Sequence, residues 1–162
     1  MASLQNFVID GNGLHGTIPT EVAAMASIHM FSVTNNDLTG TLPGLMGRMV
    51  TLQHLYVDSN MLTGTLPSEF CQLTALEILE MYTNQLNGTL PTELGNLIAL
   101  TTLSLGRNDF TGTLPTELGQ ITTCQEIYAH TNDFNGTLPT ELSALTALTT
   151  LALFNNSLTG TL

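Results

Sequence analysis

The sequence has no tryptophan, no lysine and only two arginines, Arg48 and Arg107. Two cations cannot neutralise a run of phosphates, which argues against nucleic acid and against anionic membrane surfaces as partners. Charge of either sign is scarce: 9% of the 162 residues are charged, and thirteen acids leave a net charge of -11, where an average soluble domain carries about 25% charged residues. With 43% of the chain apolar, a disordered acidic tail is excluded. No uninterrupted apolar stretch approaches the roughly 18 residues of a membrane span, and the first residues lack the charged start and apolar run of a signal peptide. Cysteine occurs twice, at Cys71 and Cys124, too few for a disulfide framework.

What the sequence does have is a repeat. Gly-Thr-Leu/Ile recurs at Gly16, Gly40, Gly64, Gly88, Gly112, Gly136 and Gly160, always 24 residues apart, and an asparagine stands four residues before each: Asn12, Asn36, Asn60, Asn84, Asn108, Asn132 and Asn156. Ahead of each Asn, large apolar residues sit eight, five and three positions back, as in Leu100, Leu103 and Leu105 before Asn108. Their alternation with polar neighbours near the Asn predicts a short strand with one face buried. After the Asn, Leu62-Thr63-Gly64-Thr65-Leu66-Pro67 and its equivalents predict a second short strand, with Leu and Gly inward and Thr outward, that ends where proline cannot donate to a ladder. In Thr92-Glu93-Leu94 the threonine is expected to cap a helical turn, with Glu93 facing its positive end. No single turn can bury its apolar side alone, so the chain is expected to be one solenoid of about seven turns over residues 1–162.

The pattern from Leu100 to Ile121, L-x-x-L-x-L-x-x-N-x-F-T-G-T-L-P-T-E-L-G-x-I, resembles the leucine-rich repeat of the 24-residue plant type, found in extracellular receptor ectodomains and inhibitor proteins. The wording is similar to that of algal and diatom members. The resemblance covers essentially the whole chain. It implies an α/β solenoid: a right-handed, curved array with a parallel sheet on the concave side, short second strands, short helical turns on the convex side, and ligands held on the concave face. Met1 to Leu4 fall in register with Met25 to Ile28, and no paired-cysteine cap of the family stands at either end. The expectation is therefore a slice of a longer array, or ends covered by neighbouring chains or further repeats. Cys71 and Cys124 lie two turns apart; strands spaced by about 4.8 Å then put them beyond the roughly 7 Å limit of a disulfide, and both are expected to be free and buried.

The asparagine column has a structural reading: side-chain amides satisfy backbone groups where the strand bends away. Function is expected instead in the variable columns, six, four, two and one residues before each Asn. These hold His54, Tyr56, Asp58, Ile78, Glu80, Tyr82, Arg107, Glu126, Tyr128, His130 and Phe154. All three tyrosines, two of four histidines and one of two arginines fall there, the residue types that binding hot spots favour. The predicted function is non-enzymatic recognition of a protein, peptide or glycan, with the carboxylates preferring a polar or cationic ligand; a structural scaffold segment is the alternative. Glu80 with Glu126 could be drawn as a hydrolase pair, but an uninterrupted 24-residue period builds no pocket around them. His54 with Asp58 and His130 with Glu126 lack a third ligand or a nucleophile, so no cofactor, metal or catalytic residue is assigned.

Two further surfaces stand out. Thr39, Thr41, Thr63, Thr65, Thr111 and Thr113 belong to a two-column threonine grid broken at His15, Asn87 and Asn135. Its expected spacings of about 4.8 Å and 6.8 Å resemble the lattice of threonine-rich β-solenoid ice-binding proteins, an analogy of surface. Asn87, Asn135 and Asn155 open N-glycosylation sequons, which carry glycans only in a secretory compartment; an extracellular or cell-surface location is expected. The column Glu21, Glu69, Glu93, Glu117 and Glu141 reads as a solvated acidic face.

Overall fold

The computed structural model describes residues 3–161; Met1 and Ala2, half of the N-terminal register match, and Leu162 lie outside them. Each turn contributes one strand to each of two seven-stranded parallel sheets. The first sheet, on the concave side, is built from Asn6–Val8, Met30–Ser32, His54–Tyr56, Ile78–Glu80, Thr102–Ser104, Glu126–Tyr128 and Thr150–Ala152. The second comprises His15–Thr17, Asp37–Thr41, Met61–Gly64, Gln85–Gly88, Asp109–Gly112, Asp133–Thr137 and Ser157–Thr159. Five-residue 3₁₀ turns, from Thr20–Ala24 to Thr140–Ala144, close the convex side.

The helical turns are 3₁₀ because the apolar residues return every third position. Leu94, Leu97 and Leu100 are fully buried, and their amides bond the carbonyls of Pro91, Leu94 and Leu97 in succession; side chains three apart eclipse in that geometry and so all face inward. The expected threonine cap does not form. Pro91 occupies the cap position in extended backbone, and the Thr92 hydroxyl donates instead to the Glu93 carboxylate at 3.3 Å. Proline already fixes the dihedral that starts the turn and leaves one fewer amide to satisfy.

The core is a stack of aligned apolar columns. Leu62, Leu86, Phe110 and Phe134 form one of them, all with no exposed surface, and the last two rings stack at 6.1 Å. Cys71 and Cys124 are buried and free, and burial pushes both thiols up to about 11. They pack as small apolar groups and hold little thiolate at neutral pH.

The asparagine ladder binds turn to turn. Asn60 donates its amide to Val33 of the preceding turn and to Val57 and Asp58 of its own, while its carbonyl accepts the amide of Leu38 at 3.0 Å. Asn36, Asn84, Asn108, Asn132 and Asn156 each accept the amide 22 residues earlier and donate to the carbonyl 27 residues earlier. The residue before each of these Asn adopts a left-handed conformation, with φ of 54–56° at Asn35, Ser59, Thr83, Arg107, Thr131 and Asn155. Non-glycine residues pay about 1–2 kcal/mol for it; the ladder that follows offsets that cost.

The two sheets differ in register. Concave strands pair residues 24 apart, as in Tyr56 with Glu80, whereas the second sheet pairs residues 22 apart, as in Thr41 with Thr63 and Gly40 with Leu62. Each turn therefore slips two residues along the second sheet. Replacing Asn84 with Ala strands the Leu62 amide, a loss of about 1–3 kcal/mol, and leaves the Val57 carbonyl with only the longer bond from Asn60 at 3.3 Å. We expect a clear drop in melting temperature with the concave surface unchanged, checked by calorimetry and by near-UV circular dichroism.

Candidate functional site

The parallel register aligns concave side chains into columns along the array. The column two residues before each Asn runs Asp10, Thr34, Asp58, Tyr82, Gly106, His130 and Phe154, and backbone bonds keep it in line beyond the strands, as from Ser59 to Tyr82 and from Thr83 to Gly106. Beside it stand Ser32, Tyr56, Glu80, Ser104 and Tyr128, then Met30, His54, Ile78, Thr102 and Glu126. The sequence-predicted residues of these three columns thus share one face, but they divide into two groups.

The first group surrounds a cleft of about 270 Å³ lined by Val8, Asp10, Met30, Ser32, Thr34, Tyr56, Asp58, Glu80 and Tyr82. Asp58 faces the concave side yet is only 2% exposed, because Thr34 donates to one carboxylate oxygen at 2.8 Å and Ser59 to the other at 3.2 Å. Asp10 accepts Ser32 at 2.6 Å and the Thr34 amide at 2.8 Å. Sequence reasoning left out Asp10, Ser32 and Thr34; their shared spacing of 24 with Asp58 and Tyr56 was the available signal. Glu80 is half-buried, and burial first, then the charges of Asp58 and Glu126, raise its carboxyl pKa above 4.5. Burial also raises the phenols of Tyr56, assisted by Glu80, and of Tyr82, assisted by Asp58, so both remain hydrogen-bond donors. No cation lines the cleft.

The second group is aromatic. His130 and Phe154 stack at 4.5 Å and 2°, and Phe154 is 60% exposed. His130 leans over Gly106, where a Cβ would come within 2.8 Å of its Nε2. Glycine is the residue that leaves the ring this room, a role invisible in a one-dimensional pattern. Arg107 is exposed and forms no ion pair among the described residues.

Neither histidine–carboxylate pair drawn from the sequence forms. His54 lies 3.8 Å from Glu77 instead of bonding Asp58, because Glu77 belongs to the adjacent turn while Asp58 is turned under Thr34 and Ser59. His130 stacks on Phe154 and sits 3.3 Å from Thr131, not on Glu126. Among the described residues no three His, Cys, Asp or Glu side chains converge for a metal.

The threonine face is staggered. With the two-residue slip, Thr17 pairs Thr39, Thr41 pairs Thr63 and Thr137 pairs Thr159, so the grid expected from equal registers becomes oblique dyads. Thr41 and Thr65 set their methyls 2.8 Å from where a Cβ on Gly64 and Gly88 would lie, and those glycines have φ of 80° and 75°. Both facts explain the Gly-Thr pair within the fold itself. Asn87, Asn135 and Asn155 are all exposed.

Residues 51–73, 75–97 and 99–121 match the Leucine Rich Repeat family. Among solved structures, the chain is similar to a plant peptide hormone receptor, RGFR1 in complex with RGF2, with 34% identity and a TM-score of 0.96 over 97% of this chain and 25% of that one. It is equally similar to the ectodomain of the Arabidopsis thaliana receptor kinase GASSHO1/SCHENGEN3 in complex with Casparian strip integrity factor 2, at 34% identity, a TM-score of 0.98 and coverage of 99% and 19%. A plant ice-binding protein shares the fold at 20% identity and a TM-score of 0.72, over 98% of this chain and 66% of that one. The chain spans about a fifth to a quarter of the two receptor ectodomains. No curated protein matches it. No helix among the described residues is long and apolar enough to cross a membrane.

Because folding raises the Glu80 pKa, the folded state holds its proton more tightly than the unfolded chain does. Its contribution favours folding at low pH and is lost as pH rises from 4.5 through the raised value. Glu80→Gln is expected to raise the neutral-pH melting temperature and to flatten that part of the pH profile, measured by thermal denaturation from pH 4 to 8.

Proposed function

Because the chain is a leucine-rich-repeat array of the 24-residue plant type, we propose that it is a non-enzymatic recognition module that holds a protein, peptide or glycan on its concave face. The observation that carries this reading is the distribution of scarce residues. The other faces repeat threonine or glutamate turn after turn, while Tyr56, Tyr82, Tyr128, His130 and Phe154 share one face, where aromatic side chains act as binding anchors. The receptor ectodomains similar to this chain are described with peptide partners, which makes a peptide the first ligand to test. We place the module outside the cell or at its surface, where the exposed Asn87, Asn135 and Asn155 would carry glycans away from the concave face or at its rim. A second, lesser reading, contact with an ordered ice surface, has the support that Thr39, Thr41, Thr65, Thr111 and Thr113 remain exposed, although the two-residue slip makes their array oblique.

Selection of displayed twelve-residue random peptides tests the first reading. Peptides selected on the native chain are expected to lose at least about tenfold in affinity, roughly 1.4 kcal/mol, on Tyr82→Ala and on Tyr128→Ala, with the melting temperature within a few degrees of native. Selected peptides indifferent to both substitutions would remove the concave face from the assignment. For the second reading, recrystallisation inhibition by the native chain that vanishes in Thr65→Tyr is the expected result, and no inhibition at all disposes of it.

A further inference from the structure

Resting on the concave-face reading, we propose that the preferred ligand is an extended peptide segment bearing an arginine and, six residues away, an aromatic side chain. The arginine would enter between Tyr56 and Tyr82, over Asp58 and Glu80. The aromatic residue would pack against the His130–Phe154 stack.

Three observations carry this. The first is unbalanced charge inside a shaped cleft. Asp10, Asp58 and Glu80 line it with no cation among their neighbours, and the almost fully buried Asp58 is held by hydroxyl donors alone. A buried carboxylate is normally matched by a cation, and a guanidinium presents planar, paired donors to carboxylates while its faces stack on aromatic rings. Tyr56, which pairs with Glu80 from the preceding turn, and Tyr82, two residues after Glu80 on the same turn, supply such rings in the cleft. The second is the separate aromatic stack at the other end of the face, with Phe154 60% exposed and parallel to His130. Exposed, aligned rings of this size bury substantial apolar area when covered.

The third observation is the distance between the two. Asp58 and Phe154 occupy the same column four turns apart, and parallel strands lie about 4.8 Å apart, giving about 19 Å along the axis. An extended chain covers that in about six residues at roughly 3.3 Å each, and residues six apart point to the same side because strand side chains alternate. Gly106, the one residue without a side chain in that column, lies buried under the His130 ring and so raises no side chain of its own between the two anchors. A peptide running along a strand instead of across the strands would meet only one group.

The test uses fluorescein-labelled twelve-residue peptides of Gly, Ser and Thr containing one Arg and one Phe, titrated by fluorescence anisotropy against the native chain. Arg and Phe at a separation of six, in at least one of the two orders, are expected to bind at least about tenfold tighter than the same residues at a separation of two or five. Replacing that Arg by Gln should cost about tenfold, and binding should weaken as salt is raised. Glu80→Gln should weaken the Arg peptide about tenfold but leave an all-Gly/Ser/Thr peptide with Phe unchanged, and Phe154→Ala should do the reverse for the Phe anchor. Glu93→Gln on the convex side serves as a control that leaves all affinities unchanged. Equal affinity at all separations, or indifference to Arg, overturns the proposal. If Phe-only peptides still bind and still lose affinity on Tyr82→Ala, the concave-face reading survives that failure. If no peptide responds to any concave substitution, both fall together.

Discussion

At the corner where the chain leaves one sheet for the other, each turn of this protein is fastened to the one before it by a single side chain. The ladder asparagine accepts a backbone amide of the preceding turn and donates to a carbonyl of that turn and to carbonyls of its own, as Asn108 does with Leu86, Met81 and Leu105. These backbone groups lie where the chain leaves one sheet for the other and has no ladder partner. Buried without a partner, each would cost about 1–3 kcal/mol. An asparagine amide has a donor and an acceptor on one short stem, so one residue serves both directions. The cost is local: the preceding residue is held left-handed, even where it is the β-branched Thr83 or Thr131.

From that fixed corner the two sheets diverge. The concave strands stay level from turn to turn, so side chains six, four and two residues before the Asn form straight columns. The second sheet slips two residues per turn, and its threonine methyls come to rest over the next turn's glycines. The same Gly-Thr repetition that looks like a surface lattice in the sequence is thereby accounted for by contacts between turns. Level columns on one side and oblique ones on the other make the concave face the place where a long ligand can meet aligned anchors.

That face carries the chemistry the rest of the molecule lacks. Its acidic cleft and its aromatic stack lie on one column with Gly106 between them, and the rarity of cations in the chain leaves the cleft without an internal counter-charge. The proposed ligand follows from these two groups and from the strand spacing that separates them. Glycans at Asn87, Asn135 or Asn155 would sit on exposed positions outside the cleft.

The sequence by itself determined the period, the two strands and the helical turn in each repeat, the buried columns and the role of the asparagines, because a strict 24-residue repeat forces every turn into the same environment. It also determined which columns vary, and so which face carries Tyr56, Tyr82, Tyr128 and Phe154. Tertiary structure alone decided how those residues meet. Asp58 is buried under hydroxyls, His54 faces Glu77, His130 leans over Gly106, and Asp10 joins Glu80 from three turns away. Each of these depends on side-chain rotamers and on neighbours about 24 residues apart. The slip of the second sheet was equally hidden, since the repeat fixes the number of residues per turn but not how those residues are divided between a level ladder and an oblique one.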